Sequence, residues 1–312
     1  MSTRRGFLVQ AGLLGLGATG LWLARDRLEL PLLSGLKIEG ADSTGWLPFS
    51  TRRERIVTVR AQVNGRPVNA LIDSGAQYSA IDSDLARELG VTESIGAPVV
   101  AYGAGGAGQV GRSVRVDVAL GDLTLKSLSA AALTLGPISQ GLGGIGTPLI
   151  LGQDVLRALI ADIDFPKRRA RLVRPDAFEM PPGAVPAPVQ PAGRAIAARV
   201  LVEDVELHVL VDTGASAALS LASDTAEALG LMDRPHRTGR SVVLGGVAQG
   251  RIVEVESFSF AGQERRDVDV HIFQAQRLPG FPKGLLGYEA LKRYRAILNL
   301  RSGAMHLIGG RR

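Results

Sequence analysis

The sequence predicts a mostly β protein built as two homologous lobes, on three observations. Short strand patterns bounded by Gly-rich turns recur along the whole chain. The second half repeats the elements of the first in the same order. A Pro-rich stretch separates the two copies. At 312 residues and 46% hydrophobic, the chain is long enough for two domains with their own cores.

The N-terminus carries Ser2-Thr3-Arg4-Arg5-Gly6-Phe7-Leu8, then no charge until Arg25. Residues 1–24 resemble a bacterial twin-arginine export signal. The stretch from Gly6 to Ala24 is about 28 Å long as a helix, so it serves equally as a retained membrane anchor. Either way the lobes are expected outside the cytoplasm, in the periplasm. Residues 25–50 read as a tether, with an added strand near residues 36–38.

The first lobe is expected over residues 51–174. It opens with a strand at 56–63, then Asn64-Gly65, then a strand at 68–72. Asn-Gly between alternating apolar runs is a strong hairpin signal. After the second strand a short helix is predicted, with Ser83-Asp84 supplying N-cap oxygens and Gly90 the stop. A glycine-rich segment follows at 102–111, then Ile150-Leu151-Gly152, a helical stretch at 153–159 and a strand at 161–165. Residues 175–194 hold Pro175, Pro181, Pro182, Pro186, Pro188 and Pro191 and read as a linker.

The second lobe, residues 195–312, repeats the plan. Strands at 195–202 and 205–211 flank Glu203-Asp204. Ser223-Asp224 and Gly230 bound a helix, and residues 244–250 are glycine-rich. Leu285-Leu286-Gly287 precedes a helical stretch at 288–294 and a strand at 296–300.

Each hairpin ends in the same signature. The first is Leu71-Ile72-Asp73-Ser74-Gly75-Ala76, the second Leu210-Val211-Asp212-Thr213-Gly214-Ala215. One Asp-Thr-Gly is common by chance; two in register, each ending an apolar strand, are not. The pair resembles the active-site loops of the retropepsin-like and pepsin-like aspartic peptidases, and the likeness covers most of 56–173 and 195–308. It implies two retropepsin-like β-barrel lobes with a cleft between them, and Asp73 and Asp212 as the catalytic pair. It also implies that Ser74 and Thr213 hydrogen-bond across the lobe interface. Gly75 and Gly214 let the loops approach without a Cβ clash. The glycine-rich segments match the family's flaps, which makes Tyr102, Gly103, Gly105, Gly106, Gly245 and Gly246 the candidate substrate contacts. Alanine after the glycine in both loops is as in the retroviral type, whereas the single-chain layout is like pepsin. With no hydroxyl there to stabilise an ionised aspartate, a milder pH optimum than in stomach-type enzymes is expected.

The chemistry follows from two carboxyls a few Å apart. Like charges at that distance do not both ionise cheaply, so the pair keeps one shared proton. One member is then a base and the other an acid at the same pH, which is what amide hydrolysis by water requires. The expected function is cleavage of envelope proteins by an exported endopeptidase, with no cofactor and no metal. Two alternatives stay open: a non-catalytic peptide-binding module of the same fold, and a peptidase whose lobes pair between chains.

Other classes are disfavoured. The chain has no cysteine, which excludes thiol catalysis and Cys-ligated metal. Net charge is +6, but the arginines are scattered and aromatics are only 4%, which argues against nucleic acid. His208, His236, His271 and His306 have no metal-ligand spacing. Two Gly-x-Gly-x-x-Gly matches, at Gly15 and Gly141, have no βαβ unit around them, and no Gly-x-Ser-x-Gly elbow exists.

Overall fold

The computed structural model describes residues 12–16, 35–50, 55–91, 98–103, 108–140, 146–243, 246–274 and 282–309. The protein is mostly β, as expected. A nine-stranded sheet is built from the first half of the chain and an eight-stranded sheet from the second. A six-stranded sheet joins them with strands from both halves.

The joining sheet explains a repeated element. Ile160–Asp164 and Tyr294–Asn299 are copies of one strand, and they pair antiparallel with each other, Ala161 opposite Leu298 and Asp164 opposite Arg295. One face of this sheet buries Ala161, Ile163, Phe165, Ala296, Leu298 and Leu307 in the common hydrophobic core. Burying such a row removes apolar surface from water at roughly 25 cal/mol per Å². The halves are therefore held by a shared core and not by linker alone.

The first hairpin pairs Thr58–Val63 with Arg66–Ile72. Asn64 and Gly65 both take positive φ, 48° and 84°, as a two-residue primed turn requires. The second hairpin pairs Ala195–Val202 with Val205–Val211 around Glu203 and Asp204, with φ of 47° and 68°. Neither is a glycine, so this turn is strained. Glu203 is tied down in compensation: its carboxylate accepts from both terminal nitrogens of Arg234, at 2.6 Å each, and from the Glu256 N–H.

The two helices after the Asp loops are Ser83–Glu88 and Ser223–Ala228. Their caps differ from the expectation. Asp82, one residue earlier than predicted, is the N-cap of the first, with its side chain accepting from the Asp84 N–H. Ala222 caps the second with no side-chain bond. The strands before each helix run straight into it, which moves the cap onto the last strand residue. Gly90 and Gly230 close the helices at φ of 66° and 68°.

The tether supplies strands Lys37–Gly40, paired with Leu123–Leu133, and Leu47–Pro48, paired with Arg169–Val173. The Pro-rich stretch also contributes pairing: Val185–Pro186 lies beside Ala304–Gly309, and Val189–Ala192 beside Ala195–Val202. In the segment expected to act in export, Gly12–Leu16 is a strand parallel to Pro98–Gly103. Arg4, Arg5 and the rest of that segment lie outside the described residues. Among the described residues no helix is long and apolar enough to cross a membrane.

Candidate active site

Each aspartate sits at the end of a strand held between neighbours. Arg66–Ile72 has Leu149–Leu151 parallel at its side, with Ile72 opposite Leu151. Val205–Val211 has Gly284–Leu286, with Val211 opposite Leu286. The Asp73 N–H donates to Leu151 O at 3.0 Å and the Asp212 N–H to Leu286 O at 2.9 Å. Strands buried on both faces read as continuous apolar runs, which is why Leu71-Ile72 and Leu210-Val211 precede the aspartates.

The two loops then cross. Ser74 Oγ donates to Val211 O at 2.7 Å, and Thr213 Oγ1 donates to Ile72 O at 2.6 Å. The Ser74 N–H donates to Thr213 Oγ1 at 3.0 Å, and the Thr213 N–H to Ser74 Oγ at 3.1 Å. Each hydroxyl both donates and accepts across the interface. A Cβ placed on Gly75 would lie 2.6 Å from Asp212 Cγ, and one on Gly214 would lie 2.6 Å from Asp73 Oδ2. Only glycine permits this approach.

The carboxyls are treated alike by their own loops. Asp73 Oδ1 accepts from the N–H groups of Gly75 (2.8 Å) and Ala76 (3.1 Å), and Asp212 Oδ1 from those of Gly214 (2.8 Å) and Ala215 (3.1 Å). Both are buried, at 1% and 0% exposure. Burial pushes the Asp212 carboxyl well above the usual carboxylate range; the negative charge of Asp73 and a hydrogen bond to it add to the rise. Asp212 Oδ2 has no other hydrogen-bond partner among the described groups. Two ionised carboxylates offer each other no donor, so this oxygen takes its hydrogen bond either from a proton shared by the pair or from a water held between the two carboxyls.

Three contacts were not anticipated from sequence. Gln153 holds the first Asp loop from below, its side-chain amide donating to Ser74 O at 2.9 Å and its N–H to Ala76 O at 2.8 Å. Ser79 Oγ donates to Asp154 Oδ1 at 2.8 Å and accepts from the Gly152 N–H at 3.1 Å. Arg194, from the second half, stands over the Tyr78 ring with its guanidinium 5.5 Å from the centroid. The available signal was position: Gln153 and Asp154 directly follow the repeated Leu-Gly.

Of the candidate flap residues, Tyr102 and Gly103 end the strand Pro98–Gly103, and Gly246 begins the strand Gly246–Phe260. Gly105, Gly106 and Gly245 lie outside the described residues. Among the described residues, no group of three or more His, Asp or Glu side chains gathers in a metal-holding arrangement.

Comparison with known proteins agrees with this geometry. A family model described as aspartyl protease matches twice, over residues 59–155 and 198–290, one match to each Asp loop. DNA damage-inducible protein 1 of Kluyveromyces lactis is 26% identical over 143 residues, covering 45% of this chain. The match spans about a third of that relative's own length, 32%. With each match taking in one of the crossing loops, and the two together covering more than half of the chain, the chain belongs to the aspartyl protease family and carries its retropepsin-like lobe twice.

Proposed function

We propose that this chain is an exported aspartic endopeptidase that cleaves extended segments of cell-envelope proteins by a water activated between Asp73 and Asp212. The single observation that carries the reading is the carboxyl pair itself: two buried aspartates on crossing loops, each packed against the opposite loop's glycine so closely that a Cβ there would lie 2.6 Å from the carboxyl.

The mechanism follows from that proton. The ionised member takes a proton from water while the water oxygen attacks the scissile carbonyl carbon. The protonated member gives its proton to the carbonyl oxygen, forming a neutral diol. The first carboxyl then gives that proton to the amide nitrogen while the second takes one from a diol hydroxyl; the carbon–nitrogen bond breaks to a carboxylic acid and an amine, and the pair is left sharing one proton again. The apparent pKa values belong to the pair. Substrate is held as an added strand, largely through backbone hydrogen bonds, with the two glycine-rich hairpins above it. The export reading rests on Arg4-Arg5 and the uncharged stretch after it.

The test is incubation of the purified protein with unfolded casein between pH 4 and 8, with products identified by mass spectrometry. Cleavage is expected in the wild type and is lost in Asp73→Asn and in Asp212→Asn. A wild type that binds casein peptides without cutting them would leave the peptide-binding module as the reading.

A further inference from the structure

Each half of the chain carries an arginine the same number of residues before its Asp-loop aspartate: Arg55 before Asp73 and Arg194, the last residue of the Pro-rich stretch, before Asp212. Each lobe also carries an acid two residues after the glycine of its apolar-apolar-Gly strand: Asp154 after Gly152 and Glu289 after Gly287. The structure crosses these repeats. Arg55 of the first half reaches Glu289 of the second, with Nε 3.4 Å from Oε1. Arg194 of the second half bears on Asp154 of the first, helping to hold its carboxyl down.

The two crossed pairs are not equal. Arg55 is 66% exposed, and Glu289 is shared with Lys292 at 2.6 Å. Water screens such a pair, and its worth is small. Arg194 is half-buried, its Nε is buried without a partner among the described groups, and its guanidinium lies against the Tyr78 ring. Tyr78 and Ser79 are the end of the loop that begins at Asp73. Ser79 joins Asp154 and Gly152, and Gln153 holds Ser74 and Ala76. The whole first loop thus rests on residues 152–154 below, with one cation from the opposite lobe set against its far end.

We propose that Arg194 is a positioning residue that holds the Asp73 loop in register with Asp212 from the opposite lobe, acting through Tyr78 and the Ser79–Asp154 pair. It touches neither catalytic carboxyl. The attraction to Asp154 and the stacking on Tyr78 pull the second-half turn onto the first-half loop, so the lobes are aligned at the end of the loop as well as at Ser74 and Thr213.

The groups facing Asp154 set its response to pH. Ser79 donates to it from the Asp73 loop through side chain and backbone, and the Val155 N–H does so from its own helix. Arg194 faces it from the opposite lobe, and Tyr78 lies within its field. Arg157 is a like charge acting on Arg194, which favours the acid and the ring as Arg194's neighbours. Burial outweighs these and pushes the Asp154 carboxyl up to about 6. As pH falls through that value Asp154 loses its charge and with it the longer-range pull on Arg194, which keeps its place against the Tyr78 ring, so the positioning weakens on the acid side.

The inference rests on the peptidase reading for its kinetic arm only. Arg194→Gln, Arg194→Lys, Asp154→Asn, Tyr78→Leu and, as control, Arg55→Gln are compared with wild type. The probe for rates is a quenched fluorescent peptide copied from a site cut in casein. Arg194→Gln is expected to lower kcat about 10-fold or more, with KM changed less than about 2-fold, since misplacing a reacting group by a fraction of an ångström is costly. Arg194→Lys recovers part of the loss, keeping the charge without the flat stacking face. Asp154→Asn removes the acid-side rise of kcat near pH 6, and Arg55→Gln stays near wild type. Independently of any activity, amide exchange of residues 73–79 quickens in Arg194→Gln and Tyr78→Leu, while that of residues 212–218 does not. If the wild type cuts nothing, the peptidase reading falls and the exchange arm alone decides. Unchanged exchange over residues 73–79 in both variants overturns the inference, as does equal loss in Arg55→Gln and Arg194→Gln. Should Arg194→Gln fail to fold, Arg194→Lys and Tyr78→Leu carry the same comparison.

Discussion

Asp162 and Arg295 form a bidentate ion pair across the seam between the two halves, with Nε 2.7 Å from Oδ1 and Nη2 2.6 Å from Oδ2. Asp162 also accepts from Arg171 Nε at 2.8 Å and is fully buried. The Trp46 ring from the tether covers the cluster, with the guanidinium carbons of Arg169, Arg171 and Arg295 at 4.1, 4.7 and 5.1 Å from its centroid. This one acid compensates two arginines on the strands that flank its own, one from each half. Asp162→Ala is therefore expected to destabilise by about 2–4 kcal/mol, because it leaves two partly buried cations unpaired across the seam. Asp162→Leu is no remedy, since both arginines stay. Urea unfolding of the purified variant measures the loss; a change under about 1 kcal/mol would show that the seam is held by apolar contact alone.

Gly75→Ala and Gly214→Ala are expected to abolish activity at either position. The added methyl would overlap the opposite carboxyl, 2.6 Å from Asp212 Cγ in the first case and from Asp73 Oδ2 in the second. The loops must part to relieve it, and the shared proton is lost with the separation. Casein cleavage checks this directly, with circular dichroism to show that the fold persists.

Thr213→Val is expected to cost about 2–4 kcal/mol. It is nearly isosteric, but it leaves the Ser74 N–H without its acceptor and Ile72 O without its donor in a dry interface, and each such loss costs about 1–3 kcal/mol. Thr213→Ser keeps both bonds and is expected to stay within about 1 kcal/mol of wild type. The contrast between the two, read from thermal unfolding, separates the hydrogen bonds from the volume.

The repeat, the two Asp loops, the hairpin turn at Asn64-Gly65 and the helix stops at Gly90 and Gly230 were legible because each is a local pattern with one physical meaning. The pairing of Ile160–Asp164 with Tyr294–Asn299 was not, since both are apolar strands and sequence does not say which neighbour they take. The helix caps were placed one residue late because Ser83 and Ser223 are good capping types, whereas the backbone had already turned at Asp82 and Ala222. Gln153, Ser79 and Arg194 were missed for another reason. A lone polar residue beside a motif has no periodicity, and its partner lies far away along the chain. The mismatch between the two lobes, Asp154 against Glu289, becomes informative only when each is seen opposite its arginine.

Export is expected to depend on Arg4-Arg5. The uncharged stretch to Ala24 has no polar face for water, and the paired arginines are its only N-terminal charges apart from the amino group. Changing both to Lys keeps the charge and removes the guanidinium pair. Fractionation of a bacterial host should then find the protein in the cytoplasm. Normal periplasmic levels of the double Lys variant would sink the twin-arginine assignment.

Asp212→Asn is expected to inactivate the protein and to stabilise it above about pH 5. Burial, then the charge of Asp73, raises the Asp212 carboxyl well above the ordinary value, which in an unfolded chain is about 3.9. Over the window between those two values the folded state keeps a proton that the unfolded state releases. Stability therefore falls as pH rises through that window, by at most about 1.4 kcal/mol per pH unit for one proton. Asparagine has no proton to lose, and its amide donates to the Asp73 carboxylate in place of the shared proton. The variant's advantage over wild type should thus be small near pH 4 and should grow toward pH 7. The raised carboxyl of Asp154 is common to both proteins and cancels in the difference. Urea melts at pH 4, 5.5 and 7 give that difference directly. An advantage that stays flat with pH would mean that Asp212 is ionised in the folded protein at all three values, and the shared-proton chemistry would have to be abandoned.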